Sequence, residues 1–158
     1  MNAHAFDRRW ALATFGRVLA FVLASSIFYS LLRWEASAPG AEDEGVNILA
    51  GLVFFALQIV SAFFWGGFDG RRSPYLSALV VRWGSVAVIV TAFVVVYISG
   101  TLNDPLDAAE LASGFGNTGI ANVVTLFLPA LFGVLKGLKS QAKQAHNLPP
   151  QGQAGQFV

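Results

Sequence analysis

Uncharged polar side chains interrupt the apolar segments of the chain and are its first candidates for chemistry. Gln58 and Asn122 carry amides that both donate and accept hydrogen bonds, which suits binding of a polar substrate or joining of helices. We expect them to join helices, because that is the commoner role of such residues in membranes. The other polar residues of these segments are hydroxyl-bearing: Ser25, Ser26, Ser61, Ser85, Thr91 and Thr125.

Nothing in the sequence predicts an active site around these hydroxyls. A nucleophilic serine needs a neighbouring base, and all nine Asp and Glu residues are expected outside the apolar segments. Cys is absent, and the two His residues, His4 and His146, lie near the ends of the chain. We therefore predict a protein that is not an enzyme and that carries no cofactor and no metal ion.

The composition indicates where these residues are held. Of the 158 residues, 55% are hydrophobic and only 12% are charged, and the mean hydropathy is +0.60. A soluble domain has about a quarter of its residues charged, so this chain predicts an all-α integral membrane protein. The net charge of +1 gives no support for a nucleic-acid partner.

Four apolar segments are long enough to cross the membrane. They cover about residues 10–32, 46–66, 75–98 and 116–135, near the roughly 20 residues that a helix needs to span a bilayer. The run at 86–96 reads VAVIVTAFVVV without alternating polarity, which argues against a barrel strand. We expect one transmembrane domain over residues 1–139 and a tail over 140–158.

The basic residues predict the orientation of this bundle. Nine of the ten Lys and Arg residues fall on one expected side, and only Arg33 falls on the other. The positive-inside rule then puts both termini in the cytoplasm. The bias toward Ala, Val and Gly suggests a bacterial protein, so we expect it in the inner membrane. We expect six cations at this side to contact lipid headgroups: Arg17, Arg71, Arg72, Arg82, Lys136 and Lys139.

The connections between the spans carry distinct signals. The sequence GGFDGRRS at 66–73 predicts a tight basic turn, and Pro105 predicts a short amphipathic helix in the second outer loop, capped by Asn103 or Asp104. The glycine-rich stretch 113–119 is expected to be a loop, with a cavity lining as the alternative. Pro129 lacks an N–H for the carbonyl of Thr125 and should bend the fourth span.

Small residues at four-residue spacing predict faces on which helices approach closely. Whether these faces seal the bundle or contact another protein stays open at this point. The residues are Gly16, Ala20 and Ala24, then Ala62 and Gly66, and finally Gly133 and Gly137.

A short sequence recurs before the first and third spans. FDRR at 6–9 and FDGRR at 68–72, each followed by a later arginine at Arg17 or Arg82, suggest a weak repeat of a two-helix unit.

The C-terminal tail is rich in Gln, Pro and Gly, which is a disordered composition. We expect it to dock on a partner through Leu148, Phe157 and Val158.

Taken without further data, these features predict an accessory or stabilising subunit of a larger inner-membrane complex. A multicomponent transporter is the first expectation for that complex, and a respiratory complex is the second. The expected partners are membrane lipids and other integral membrane subunits. The alternative is a small transporter or channel acting as a homo-oligomer, with Gln58, Arg82 and Asn122 on its pathway; an intramembrane enzyme acting on lipid is a third class.

Overall fold

A computed structural model describes residues 8–36, 44–73, 75–101 and 107–146. Within these ranges the chain forms helices and no strand: α1 (Arg8–Ala36), α2 (Glu44–Arg72), α3 (Leu76–Thr101), α4 (Ala108–Asn122), a π-helical segment (Val123–Phe127) and α5 (Leu128–His146). Four helical stretches are long and apolar enough to cross a membrane: Arg8–Leu31, Leu49–Arg72, Leu76–Tyr97 and Ala109–His146. The prediction of four apolar helices is confirmed.

The core of the bundle is built around α3, which is the most buried of the first three helices. Its side chains Leu79, Trp83, Val86 and Val90 are fully buried, together with Leu126 from the π-helical segment. α1 packs mainly on α3 and makes little contact with α2, whereas α2 packs most extensively on α5. The bundle therefore contains one closely packed pair, α2 with α5, while α3 contacts both α1 and α4.

Glycines account for the close approach of α2 and α5. A Cβ atom added at Gly66 would overlap the backbone of Ala130, and one added at Gly70 would overlap the backbone of Val134. In the same way, Gly133 leaves no room for a side chain against the carbonyl oxygen of Phe63. Small side chains are what allow two helix backbones to come this near in a membrane. This face seals the bundle.

The fourth span changes its helical pitch just before Pro129. The N–H of Leu128 donates to the carbonyl oxygen of Val123, five residues earlier, and the Thr125 hydroxyl donates to the carbonyl oxygen of Ala121 at 2.8 Å. A proline ring removes one hydrogen bond of an α-helix, and the wider π turn accommodates the interruption. The π-helical segment begins at the residue after Asn122.

Three local predictions differ from the structure. Residues 66–72 are helical rather than a turn, because the glycines pack against α5 and so are used inside the helix. Residues 113–119 belong to helix α4 and do not form the expected loop. Residues 140–146, expected in the tail, continue helix α5 to His146. The tail anchors Leu148, Phe157 and Val158 lie outside the described residues.

The short helix expected to begin at Pro105, capped by Asn103 or Asp104, starts outside the described residues, and the described part of this connection begins with the N-cap of α4. Asp107 is the N-cap, with its carboxylate accepting from the N–H of Glu110 at 2.8 Å and the Glu110 carboxylate accepting from the N–H of Asp107 at 3.1 Å. This reciprocal capping satisfies two backbone donors at the helix start. Among the described residues, the helix then runs without a break into the fourth span.

Candidate functional site

A carboxylate lies inside the bundle, where the sequence predicted none. Asp69 belongs to the second membrane-spanning stretch, Leu49–Arg72, and only 4% of its surface is exposed. One carboxylate oxygen accepts a hydrogen bond from the Arg17 guanidinium and forms an ion pair with the Arg82 guanidinium at 3.0 Å. The other oxygen accepts from the indole N–H of Trp83 at 3.2 Å. We call these four residues the Asp69 cluster.

Aromatic rings surround the arginines of the Asp69 cluster. The Arg17 guanidinium lies 5.9 Å from the ring centres of both Trp65 and Trp83, and that of Arg82 lies 5.2 Å from the ring of Trp10. Such rings attract cations through their electron-rich faces, and the attraction grows where water is excluded. Trp83 itself is a core residue and only 1% exposed.

The charges of the cluster indicate what it does. Two guanidinium groups meet one carboxylate, which leaves one positive charge in excess. Through these contacts Asp69 joins α1, α2 and α3 at one end of the bundle. We call this end, with Arg17, Asp69 and Arg82, the basic end. Each arginine follows one copy of the weak sequence repeat, eight residues after Arg9 and ten residues after Arg72, and both contact the same acid.

Arg17 and Arg82, which the sequence predicted to contact lipid headgroups, form ion pairs with Asp69. Their side chains are 13% and 9% exposed, and both reach inward to Asp69. Asp69 was missed because Gly70 and the two arginines that follow it suggest a turn. The signal that identifies it is the four-residue spacing of Ala62, Gly66 and Gly70, which continues one helix face through the expected turn.

A second polar group joins α2, α3 and α4 nearer the middle of the bundle. The Gln58 amide nitrogen donates to the side-chain oxygen of Asn122 at 3.1 Å, and the Asn122 amide nitrogen donates to the Thr91 hydroxyl at 2.9 Å. Thr91 in turn donates to the carbonyl oxygen of Ala87 at 2.8 Å. Gln58 and Asn122 are buried, and their amides face other helices rather than lipid.

This amide chain borders a cavity of about 240 Å³ among the first four helices. We call it the polar cavity. Its apolar lining comes from Phe54, Phe55, Val94 and Ala121, and its polar lining consists of Ser25, Tyr29, Gln58, Asn117, Thr118 and Asn122.

The lining of the polar cavity determines which molecules suit it. The Gln58 side-chain oxygen is enclosed by protein atoms and has no partner among the described residues, which costs about 1 to 3 kcal/mol. The lining contains hydroxyls and amides but no charged side chain, so its chemistry suits a neutral polar molecule rather than an ion.

The two sites lie in different halves of the bundle. Tyr29 at the polar cavity and Arg17 at the Asp69 cluster are twelve positions apart on α1, or about 18 Å at the rise of an α-helix. Asn117 and Thr118 were expected in a loop; the helical form of α4 is what turns them toward the cavity. The π-helical segment begins directly after Asn122, at the cavity edge.

The remaining predicted residues fall into two groups. Ala62, Gly66, Gly133 and Gly137 are buried, and the glycines lie at the crossing of α2 and α5, whereas Gly16 is exposed, with no atom near the position of an added Cβ. Ala20 is half-buried and Ala24 exposed, so the small-residue face of α1 contributes little to the bundle. The cations Arg71, Arg72, Lys136 and Lys139 are exposed.

Comparisons with known proteins do not assign a function, so the function is argued from the geometry of these sites. No protein-family model, no curated protein and no solved structure matches the chain. Among the described residues, no group of three or more His, Asp or Glu side chains is placed to hold a metal ion.

Proposed function

We propose that the protein is a small multi-pass transporter that binds a neutral polar solute in the polar cavity. The observation that carries this proposal is the lining of the polar cavity, which combines hydroxyls and amides with no charged side chain. Its volume equals the liquid share of about eight water molecules, enough for a small polyol or amide. The Asp69 cluster fixes the helices at the other end.

This proposal takes the alternative that the sequence left second. The accessory-subunit interpretation depended on the lack of any polar site within the spans, and the polar cavity removes that argument. Arg82 is buried on Asp69, so the proposed pathway uses Gln58 and Asn122 but not Arg82.

The accessory subunit remains the second candidate, because one surface favours it. An open apolar groove of about 560 Å³ separates α1 from α2, and Ala24 is part of its lining. With Gly16 exposed on the same helix, α1 offers a close-packing face to an integral subunit of a larger complex, such as a multicomponent transporter or a respiratory complex.

We further propose that the basic end faces the cytoplasm of a bacterial cell, with both termini on that side. The support is the excess of Lys and Arg at this end, which the positive-inside rule assigns to the cytoplasm. The polar cavity then lies in the outer half of the inner membrane. The capped start of α4 at Asp107 lies at the outer surface, where we place the expected amphipathic segment.

Osmotic swelling of proteoliposomes tests the transport proposal. Purified full-length protein is reconstituted, and light scattering follows swelling in glycerol, urea and erythritol, three neutral solutes that fit the cavity volume. We expect at least one solute to enter faster than into protein-free liposomes, and Gln58→Leu to reduce that excess rate at least fivefold. Thr125→Val is the matched control, because Thr125 bonds its own helix backbone and does not line the cavity.

Two results would contradict this function. Equal swelling with and without protein for all three solutes excludes a pathway of this size and polarity. Equal loss of rate in Gln58→Leu and Thr125→Val would show that the cavity itself is not used. Stoichiometric co-purification with unrelated subunits in mild detergent, together with no swelling, would favour the accessory subunit.

A further inference from the structure

Another cavity lies at the basic end of the bundle. It is on the side of α2 opposite to Asp69, which contacts α1 and α3. It is a groove of about 210 Å³ between α2 and α5, and we call it the basic groove. Phe64, Gly67, Phe68 and Arg71 line it from α2, and Lys136 and Gly137 line it from α5.

The two cations of the basic groove have no acidic partner among the described residues. The ion pairs of that part of the chain all use Asp69, whose carboxylate is occupied by Arg17 and Arg82. The sequence after Glu110 contains no Asp or Glu at all. Arg71 and Lys136 therefore leave two positive charges in one groove, and an anion from outside the chain is the complementary ligand.

The shape of the groove favours one kind of anion. Gly137 packs directly on the α2 backbone at Gly67, which brings the two helices together at the groove, and the Lys136 ammonium lies 5.4 Å from the ring centre of Phe63 in the lining. Phe64 and Phe68, which line the groove from α2, are 61% and 52% exposed. Cations at a helix end beside exposed aromatic rings match a phosphate joined to acyl chains.

We propose that the basic groove is a binding site for one anionic phospholipid. Its phosphate lies between Arg71 and Lys136, and an acyl chain follows Phe64 and Phe68 along α2. A free phosphate ion would meet the same two cations but would leave the aromatic wall unused. The bound lipid would also stabilise the crossing of α2 and α5, because it contacts both helices at the surface of the bundle. This site is independent of the polar cavity, so either proposal can fail alone.

Native mass spectrometry of the full-length protein in mild detergent tests the site. Phosphatidylglycerol is titrated, and we expect one molecule to bind at least tenfold more tightly than phosphatidylcholine. Neutralising both groove cations in Arg71→Gln/Lys136→Gln should weaken that binding about 30-fold, from the typical contribution of a basic residue at an anionic membrane surface. Both side chains are exposed, so folding of this variant is preserved.

The matched control is Lys139→Gln/Lys143→Gln, which removes two exposed cations of α5 outside the groove. We expect less than a threefold change in that variant, and no binding of glycerol phosphate at the concentrations that saturate phosphatidylglycerol. Equal weakening in both double variants would show a diffuse basic surface and overturn the site. Equal affinity for phosphatidylcholine, or for glycerol phosphate, would overturn the assignment to an anionic phospholipid.

Discussion

Replacing Asp69 by asparagine removes the negative charge of the Asp69 cluster while leaving its shape. The indole N–H of Trp83 can still donate to the amide oxygen of the new side chain, so that hydrogen bond remains. The guanidinium groups of Arg17 and Arg82 are then left as two like charges around one neutral group. Their side chains are only 13% and 9% exposed, so water screens them weakly.

The size of this effect follows from the burial of the pair. Removing one member of a buried ion pair typically costs about 3 to 5 kcal/mol, and here the variant strands two charges rather than one. We therefore expect Asp69→Asn to lower the free energy of unfolding by at least about 3 kcal/mol. Arg17→Gln should cost less, about 1 to 3 kcal/mol, because Asp69 keeps its contact with Arg82 and the remaining pair is neutral.

Equilibrium unfolding measures both changes. The purified protein in mild detergent is titrated with sodium dodecyl sulfate, and far-UV circular dichroism follows the loss of helix, which avoids tryptophan signals beside the mutated residue. Glu110→Gln is the control for replacing a carboxylate by its amide. Glu110 is exposed at the start of α4, and glutamine can still accept the N-cap bond, so we expect a change below about 1 kcal/mol.

The reasoning depends on an order of effects rather than on one value. Asp69→Asn must cost more than Arg17→Gln, because only the first variant leaves uncompensated charge in the bundle. If Arg17→Gln is the more destabilising of the two, or if Asp69→Asn behaves like Glu110→Gln, the cluster does not carry the charge balance described above.

Two further predictions concern packing and topology. Gly70→Ala should lower the free energy of unfolding by about 1 to 3 kcal/mol, because its Cβ would overlap the Val134 backbone. Gly16→Ala should be neutral or stabilising, because Gly16 lies at an open helix position. The same unfolding titration compares the two variants, and equal effects would contradict the close crossing of α2 and α5. Single cysteines at Asp43, Asp107 and Lys143 in this Cys-free chain should react with an impermeant thiol reagent in intact cells at the first two only, and labelling at Lys143 would reverse the proposed orientation.

The sequence by itself determined the kind of protein and the number of helices. Apolar length and scarcity of charge are properties of a single segment, and they indicate a membrane helix whatever the neighbouring segments do. It also identified Gln58 and Asn122 as amides that face other helices, and the small-residue spacing of Ala62 with Gly66. These inferences are local, because an amide in lipid is costly at any position on a span.

Only the tertiary structure decided which helices meet and where the polar groups gather. In the sequence alone, Gly66 and Gly70 predict the end of a helix. In the structure they lie within α2, because α5 packs directly on their backbone. Asp69 could be recognised as a core residue only after Arg17 and Arg82 were found beside it, from two other helices. Contacts of this kind depend on how each helix is rotated and crossed, and hydropathy along one chain segment carries no information about either.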